Sequence, residues 1–280
     1  MSDQKTQTSD IAEAKGDAQS SISYEYLISF NKKMAVLHLV QGVLMVLAGG
    51  WLPIDIPIYT FYNTYNFIPP DIVEIVPTPE VLFTLTNVGA LVGSFLLMSA
   101  LAHSLIAWPL KKTYVKNLKK HINPIRWFEY AFSSSVMIFL ISVFFGVYDF
   151  WLLVGMFVLN ALMNMFGWMM EKINQRTEKT DWSAYILGVV AGIVPWIVIV
   201  AYFFSVSVAG NAGEIPGFVY AILVVEFILF NTFAINMVLQ YKGVGKWKDY
   251  LYGERMYQIL SLVAKTLLAW IVFGGVFQPS

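Results

Sequence analysis

The stretch ERMYQILSLVAKTLLAWIVFGGV, residues 254–276, decides the fold. It is long enough to cross a bilayer, because about 20 mostly apolar residues suffice. Lys265 stands near its middle, about 11 residues or roughly 16 Å from either end of the span. A lysine at that depth is costly in lipid and usually faces the protein interior with a partner. We therefore expect Lys265 to be buried and functional, and snorkelling to the membrane surface is the alternative.

The composition is that of a polytopic membrane protein. Hydrophobic residues make up 58% of the chain and charged residues only 13%, well outside the composition of soluble proteins. The formal net charge is zero, so there is no bulk attraction to nucleic acid. The absence of cysteine excludes disulfides and thiol catalysis. The three histidines occur in no HExxH spacing, and we expect neither a metal site nor an enzyme.

The hydropathy pattern predicts seven spans. Their ranges are 26–51, 81–108, 123–146, 151–170, 182–208, 218–240 and 254–276. Residues 52–80 contain the β-rich runs IPIYTFYNTY and DIVEIVP, which favour a hairpin at the membrane surface over an irregular loop. The predicted fold is thus an all-α seven-transmembrane-helix bundle with a β-hairpin in the first extracellular loop. Residues 1–22 are polar and predict a disordered cytoplasmic tail before a seven-helix domain at 23–280.

The basic residues predict the orientation in the membrane. They lie mostly in the N-terminal tail and in the loops 109–121, 171–181 and 241–253. The loops 52–80, 147–150 and 209–216 contain no lysine or arginine. By the positive-inside rule the N-terminus is cytoplasmic, and an odd number of spans places the C-terminus outside. The basic loops set the topology and contact anionic lipid, and docking of a partner is an alternative role.

Few ionisable groups lie within the predicted spans, and their depths suggest one cluster. A protonated Lys265 needs a buried carboxylate, and Glu129 is the best-placed candidate. Ser261 shares a helix face with Lys265 at a spacing of four. A lysine in an apolar pocket can also act as the amine nucleophile of Schiff-base chemistry. A purely structural ion pair is the alternative. The groups that can complete a hydrogen-bonded network around the pair are Arg126, His38, His103 and Ser133.

Further side chains on the predicted helices suit a bulky apolar ligand, although each alone is more often a packing residue. Polar and soft side chains lie on the third and fourth spans: Ser133, Ser134, Met137, Asn160, Met163, Asn164 and Gly167. Aromatic side chains on the last two spans can wall a slot: Phe227, Phe230, Phe233 and Trp270. Glu226 lies in the outer half of the sixth span, where we favour a structural role over that of a proton acceptor.

Two motifs carry a resemblance to a known family. The string RWFEYAFSSSVM at 126–137 together with SLVAKTLLAW at 261–270 resembles the heliorhodopsins, and the likeness covers roughly residues 25–277. The resemblance implies that Lys265 binds all-trans retinal as a protonated Schiff base, with Glu129 as its counterion. It also implies Arg126 one turn away and Ser261 next to the Schiff base. His38 and His103 would belong to a polar cavity on the cytoplasmic side. The implied pocket residues are Ser133, Ser134, Met137, Asn160, Met163 and Phe230.

The resemblance further implies a light-sensing photoreceptor with inverted membrane topology. Illumination would isomerise retinal and drive a slow signalling photocycle without net ion transport. A homodimer and an unidentified cytoplasmic signalling partner are expected from the resemblance alone. Glu226 keeps a light-driven proton-translocating or channel-like rhodopsin as the alternative. A retinal-free membrane scaffold or transporter is the third class of function.

Overall fold

The structure is a computed structural model that describes residues 20–50, 54–208 and 215–276. The predicted tail therefore lies mostly outside the described residues, and Ser20 and Ser21 contact the Asp249 carboxylate. The described elements, in chain order, are α1 (Tyr24–Gly49), β1 (Ile56–Ile68), β2 (Ile72–Leu85), α2 (Val88–Ala107), α3 (Lys111–Leu118), α4 (Pro124–Phe144), α5 (Phe150–Ile173), α6 (Ser183–Val208), α7 (Gly217–Lys242), a 3-10 turn (Gly245–Lys248) and α8 (Tyr250–Val276).

Seven of the described helices, all except α3, are long and apolar enough to cross a bilayer. This finding confirms the predicted seven-helix bundle. Side-chain caps set several helix starts: the Asn87 side chain accepts from the Ala90 N–H at 2.8 Å, and Asp149 accepts from Leu152 at 2.6 Å. We call the end of the bundle with α3 and the 3-10 turn the basic end, and the opposite end the hairpin end.

The hairpin is longer than predicted. Strands β1 and β2 are antiparallel and pair from Ile56 with Leu85 to Ile68 with Ile72. The second span therefore begins at Val88 and not at 81. Residues 81–85 are apolar, so the hydropathy pattern predicts helix there, because hydropathy alone does not separate a strand from a helix. A backbone hydrogen bond from the N–H of Tyr59 to the carbonyl of Tyr148 ties the hairpin to the chain before α5.

The basic end contains regular structure where the sequence predicts loops. Helix α3 lies within the lysine-rich loop, and its Tyr114 and Leu118 are fully buried against Leu27 and Leu251. In addition, α5 continues to Ile173 and α8 already begins at Tyr250. These extensions bring side chains near the predicted span ends into the folded bundle.

Helices α1 and α2 pack closely through glycine. A Cβ added to Gly49 would lie 2.3 Å from the Cα of Gly89, so no larger residue fits without moving a helix. The largest apolar core lies in the half of the bundle near the hairpin end. Its members include Met137, Ile141, Ile222, Leu268 and Val272.

Candidate functional site

Lys265 lies inside the bundle and is paired. The residue is 3% exposed, and its Nζ donates to Glu129 Oε1 at 2.8 Å and to Ser261 Oγ at 2.8 Å. The Glu129 side chain is also nearly buried, at 7% exposed. The ring of Tyr130 lies under the ammonium group, with 5.1 Å from Nζ to the ring centroid. The structure thus brings the lysine, the carboxylate and Ser261 together as the sequence analysis expected.

Ser99 on α2 belongs to this site and was missed. Its hydroxyl donates to Glu129 Oε1 at 2.6 Å, so one carboxylate oxygen accepts from both Lys265 and Ser99. A usable signal was present, because Ser99 precedes His103 by four residues and shares its helix face. Removing either Lys265 or Glu129 leaves the other as an uncompensated buried charge, which lowers the free energy of unfolding by roughly 3 to 5 kcal/mol.

The two predicted histidines lie together beside Ser99 on the α1–α2 side. The rings of His38 and His103 are stacked, with centroids 5.5 Å apart and planes 6° from parallel. Asn31 on α1 contacts His103, with 2.7 Å between its Oδ1 and the ring Nδ1. Asn31 and His38 are fully buried and His103 is 8% exposed. These groups form a polar layer between Lys265 and the basic end.

Arg126 does not join the Lys265 network, which corrects the sequence analysis. Its guanidinium forms ion pairs with Glu171 of α5 and Glu254 of α8. It also stacks over the ring of Tyr257, 3.9 Å from the centroid. The long side chain reaches toward the basic end, away from Glu129. Both carboxylates were missed because they were assigned to a loop and a span end, whereas the extended helices bury them.

The Arg126 cluster connects four helices. The side-chain amide of Asn123 donates to Glu254 at 2.7 Å, and its backbone N–H donates to Glu171 at 2.8 Å. Tyr114 of α3 donates to Glu254 at 3.4 Å. One guanidinium and two carboxylates therefore hold α3, α4, α5 and α8 together beneath the basic end.

An apolar cavity adjoins Lys265. The predicted residues Ser134, Met137, Met163 and Phe230 line it. Asn164, Phe233 and Ser261, which were also predicted, line it together with Tyr130 and Ala264. A second cavity lies between α5, α6 and α7, and Met163, Asn164, Phe230 and Phe233 line both. The second cavity extends to Gly188, Gly192 and Trp196 on α6, residues that the sequence analysis did not select.

Two other predicted polar residues lie beside the cavities and line neither. The Asn160 amide donates to Ser134 at 2.7 Å and to Ser135 at 3.0 Å, so it bridges α5 and α4 behind the cavity wall. Ser133 is fully buried one turn after Glu129. Asn160 therefore fixes the two helices that carry the lining side chains.

Trp270 is placed away from the cavities, which corrects the predicted slot. Its side chain is 48% exposed, and its indole N–H donates to Gln41 of α1 at 3.3 Å. Five residues after Lys265, it points about 140° around the helix from the lysine. Phe227 is likewise 41% exposed. Phe230 and Phe233 supply the aromatic wall without them.

Glu226 is fully buried in α7, and neither carboxylate oxygen has a hydrogen-bond partner among the described residues. Neighbours on its helix face, Val219 and Ile222, belong to the apolar core. The structure therefore does not bring Glu226 into the network around Lys265.

Comparison with known proteins identifies the family. The family model of the heliorhodopsins matches residues 27–277, nearly the whole chain. No curated protein matches the chain. The matched range contains all seven long helices except the first three residues of α1, together with the hairpin and the buried lysine site. This protein belongs to the heliorhodopsin family, whose members are membrane-embedded rhodopsins that bind retinal.

Proposed function

We propose that this protein is a light-sensing photoreceptor that binds all-trans retinal on Lys265 and signals without net ion transport. The observation that carries the proposal is the buried Lys265, held by Glu129 and Ser261 beside an apolar cavity. Family membership supports the retinal chromophore. The isomer, the slow photocycle and the signalling role rest on the resemblance.

The residues present fit retinal chemically. An aldehyde needs an amine, and a cationic linkage in apolar surroundings needs a nearby anion. Lys265 and Glu129 provide these two groups. The lining of Met137, Met163 and Phe230 suits a polyene, because soft and aromatic side chains surround it without adding charge.

When bound, retinal supplies a polyene linked through a protonated Schiff base, and light isomerises it. Glu129 stabilises the positive charge on the Lys265 nitrogen in the dark. Ser99 and Ser261 hold the two charged groups in place by hydrogen bonds. A change in the direction of the Lys265 N–H weakens its bond to Glu129, so the proton can move into the polar layer of His38 and His103.

The distribution of polar groups supports sensing over pumping. The polar layer and the Arg126 cluster lie toward the basic end, whereas the half near the hairpin end is filled by apolar side chains such as Ile141, Leu268 and Val272. A pump needs carboxylates on both sides of the lysine nitrogen, and α4 offers Glu129 alone. The buried Glu226 favours the second candidate, a proton-translocating or channel-like rhodopsin.

The basic end is proposed to face the cytoplasm. Lysines on α3, including Lys111, Lys112 and Lys116, are exposed there. The hairpin end carries Asp71, Glu74 and Glu80 but no lysine or arginine between residues 52 and 80. This asymmetry supports a cytoplasmic N-terminus. The exposed surface of the basic end is then available to a signalling partner, and a homodimer remains the expectation from the family.

Substituting Lys265 tests retinal binding. We expect Lys265→Ala, expressed with all-trans retinal, to lose the visible absorption band completely, because the only covalent attachment is gone. Lys242→Ala, which changes an exposed lysine at the end of α7, is the control and should keep the band. A Lys265→Ala protein with an unchanged band contradicts retinal attachment at this residue.

Substituting Glu129 tests the counterion. We expect Glu129→Gln to shift the absorption maximum to longer wavelength, because a neutral side chain stabilises the ground-state cation less. The free energy of unfolding of the variant should also fall by roughly 3 to 5 kcal/mol, because the charge on Lys265 is left buried and unpaired. Glu178→Gln, at an exposed position, should change neither property. An unshifted spectrum in Glu129→Gln would mean that another group is the counterion.

Electrical recording separates the two candidate functions. In voltage-clamped cells we expect a flash to give at most a transient charge displacement and continuous light to give no steady current. A steady light-driven current defeats the sensor. Loss of that steady current in Glu226→Gln would then assign the transport path to the half of the bundle near the hairpin end.

Terminal tags test the orientation. We expect antibody to label a C-terminal tag on intact cells and to label an N-terminal tag only after permeabilisation. The permeabilised cells serve as the control for tag accessibility. Labelling of the N-terminal tag on intact cells contradicts the proposed orientation.

A further inference from the structure

Asn31 forms two hydrogen bonds that together define its orientation. Its Nδ2 lies 2.7 Å from the carbonyl oxygen of Leu27, and its Oδ1 lies 2.7 Å from Nδ1 of His103. A carbonyl oxygen only accepts, so the amide nitrogen of Asn31 must face Leu27. The opposite orientation would place two acceptor oxygens against each other. The amide oxygen of Asn31 therefore faces His103.

This orientation determines the protonation of the imidazole. An amide oxygen also only accepts, so Nδ1 of His103 must carry the hydrogen. In a neutral imidazole the other nitrogen, Nε2, then holds the lone pair. Stacking on His38 restrains the plane of the ring. Asn31 determines which nitrogen is basic.

The imidazole of His103 lies one helical turn from a residue that contacts the charged pair. Ser99, four residues before His103 on α2, donates to Glu129. The lone pair of a neutral imidazole can accept a proton that leaves the lysine nitrogen.

We propose that Asn31 is a positioning residue that holds His103 in the Nδ1–H tautomer, so that Nε2 accepts the proton released from Lys265 in the light. The inference rests on the proposed function. In this step the proton leaves Nζ of Lys265, and the electron pair of the broken bond stays on that nitrogen. A new bond forms between the proton and Nε2, and the positive charge moves to the ring. The carbonyl of Asn31, already bonded to Nδ1–H, stabilises the imidazolium.

The tautomer can be measured directly by solid-state NMR on protein with 15N-labelled histidine, kept in the dark in lipid. The signals of His103 are assigned by their loss in His103→Gln. We expect wild-type His103 to be protonated at Nδ1 and unprotonated at Nε2. In Asn31→Leu we expect a new population protonated at Nε2, because leucine offers no acceptor. A wild-type protein with the hydrogen on Nε2 overturns the proposal without any substitution.

Flash photolysis tests the consequence for proton transfer. We expect light-induced deprotonation of Lys265 to slow about tenfold or more in Asn31→Leu, since positioned bases contribute roughly 10²- to 10⁴-fold. Asn31→Thr is a second variant if leucine prevents folding, because its hydroxyl can bond the Leu27 carbonyl within the helix. A shifted tautomer with a wild-type rate overturns the assignment of His103 as the acceptor. An unchanged tautomer overturns the role of Asn31.

Asn236 offers a matched control. It is also a buried asparagine, and it links a helix carbonyl, that of Gly253, to a ring N–H, that of Trp247. We expect Asn236→Leu to leave the tautomer of His103 and the rate unchanged. A change as large as in Asn31→Leu would mean that any buried amide has this effect, and it would overturn the proposal. The dark tautomer is independent of retinal attachment, whose failure would show as a missing visible band.

Discussion

The ion pair between Lys265 and Glu129 is the interaction on which the arrangement of this bundle depends. A lone charge at this depth is costly, and a pair with satisfied hydrogen bonds is tolerated. Helices α4 and α8 must therefore stay close at this level, and Ser99 on α2 contributes the further donor to the carboxylate. Function and folding share the same contact, because the group that holds the lysine in place is also the group that would stabilise its charge.

Polar groups are distributed unevenly along the bundle. From Lys265 toward the basic end they form two successive groups, first the stacked histidines with Asn31 and then the Arg126 cluster. From Lys265 toward the hairpin end the packing is mostly apolar, with Glu226 as the buried exception. A proton released at the lysine nitrogen thus finds bases in one direction and chiefly hydrocarbon in the other. This one-sidedness is the structural basis for preferring a sensor to a pump.

Hydropathy was sufficient to predict the seven spans, because each contains a long apolar window, and depth within a span pointed to Lys265 and Glu129. Two kinds of information were lacking. Helix ends lie outside the apolar window, so the burial of Glu171 and Glu254 and the true partners of Arg126 were missed. The direction of a side chain around a helix depends on its neighbours, so Trp270 was assigned to the cavity although it faces outward. Residues 81–85 show a further limit, because their hydropathy does not distinguish a strand from a helix.

The Arg126 cluster has a consequence for the alignment of α4 and α8. Each helix supplies one cation and one anion: Glu129 and Arg126 on α4 meet Lys265 and Glu254 on α8. The two ion pairs have opposite polarity, because α4 supplies the anion in one and the cation in the other. The long side chains of Arg126 and Lys265 both extend to reach their carboxylates. Sliding one helix along the other by a turn cannot preserve both ion pairs, since a slide in either direction lengthens one of them. The charge pattern therefore selects one register between the two helices.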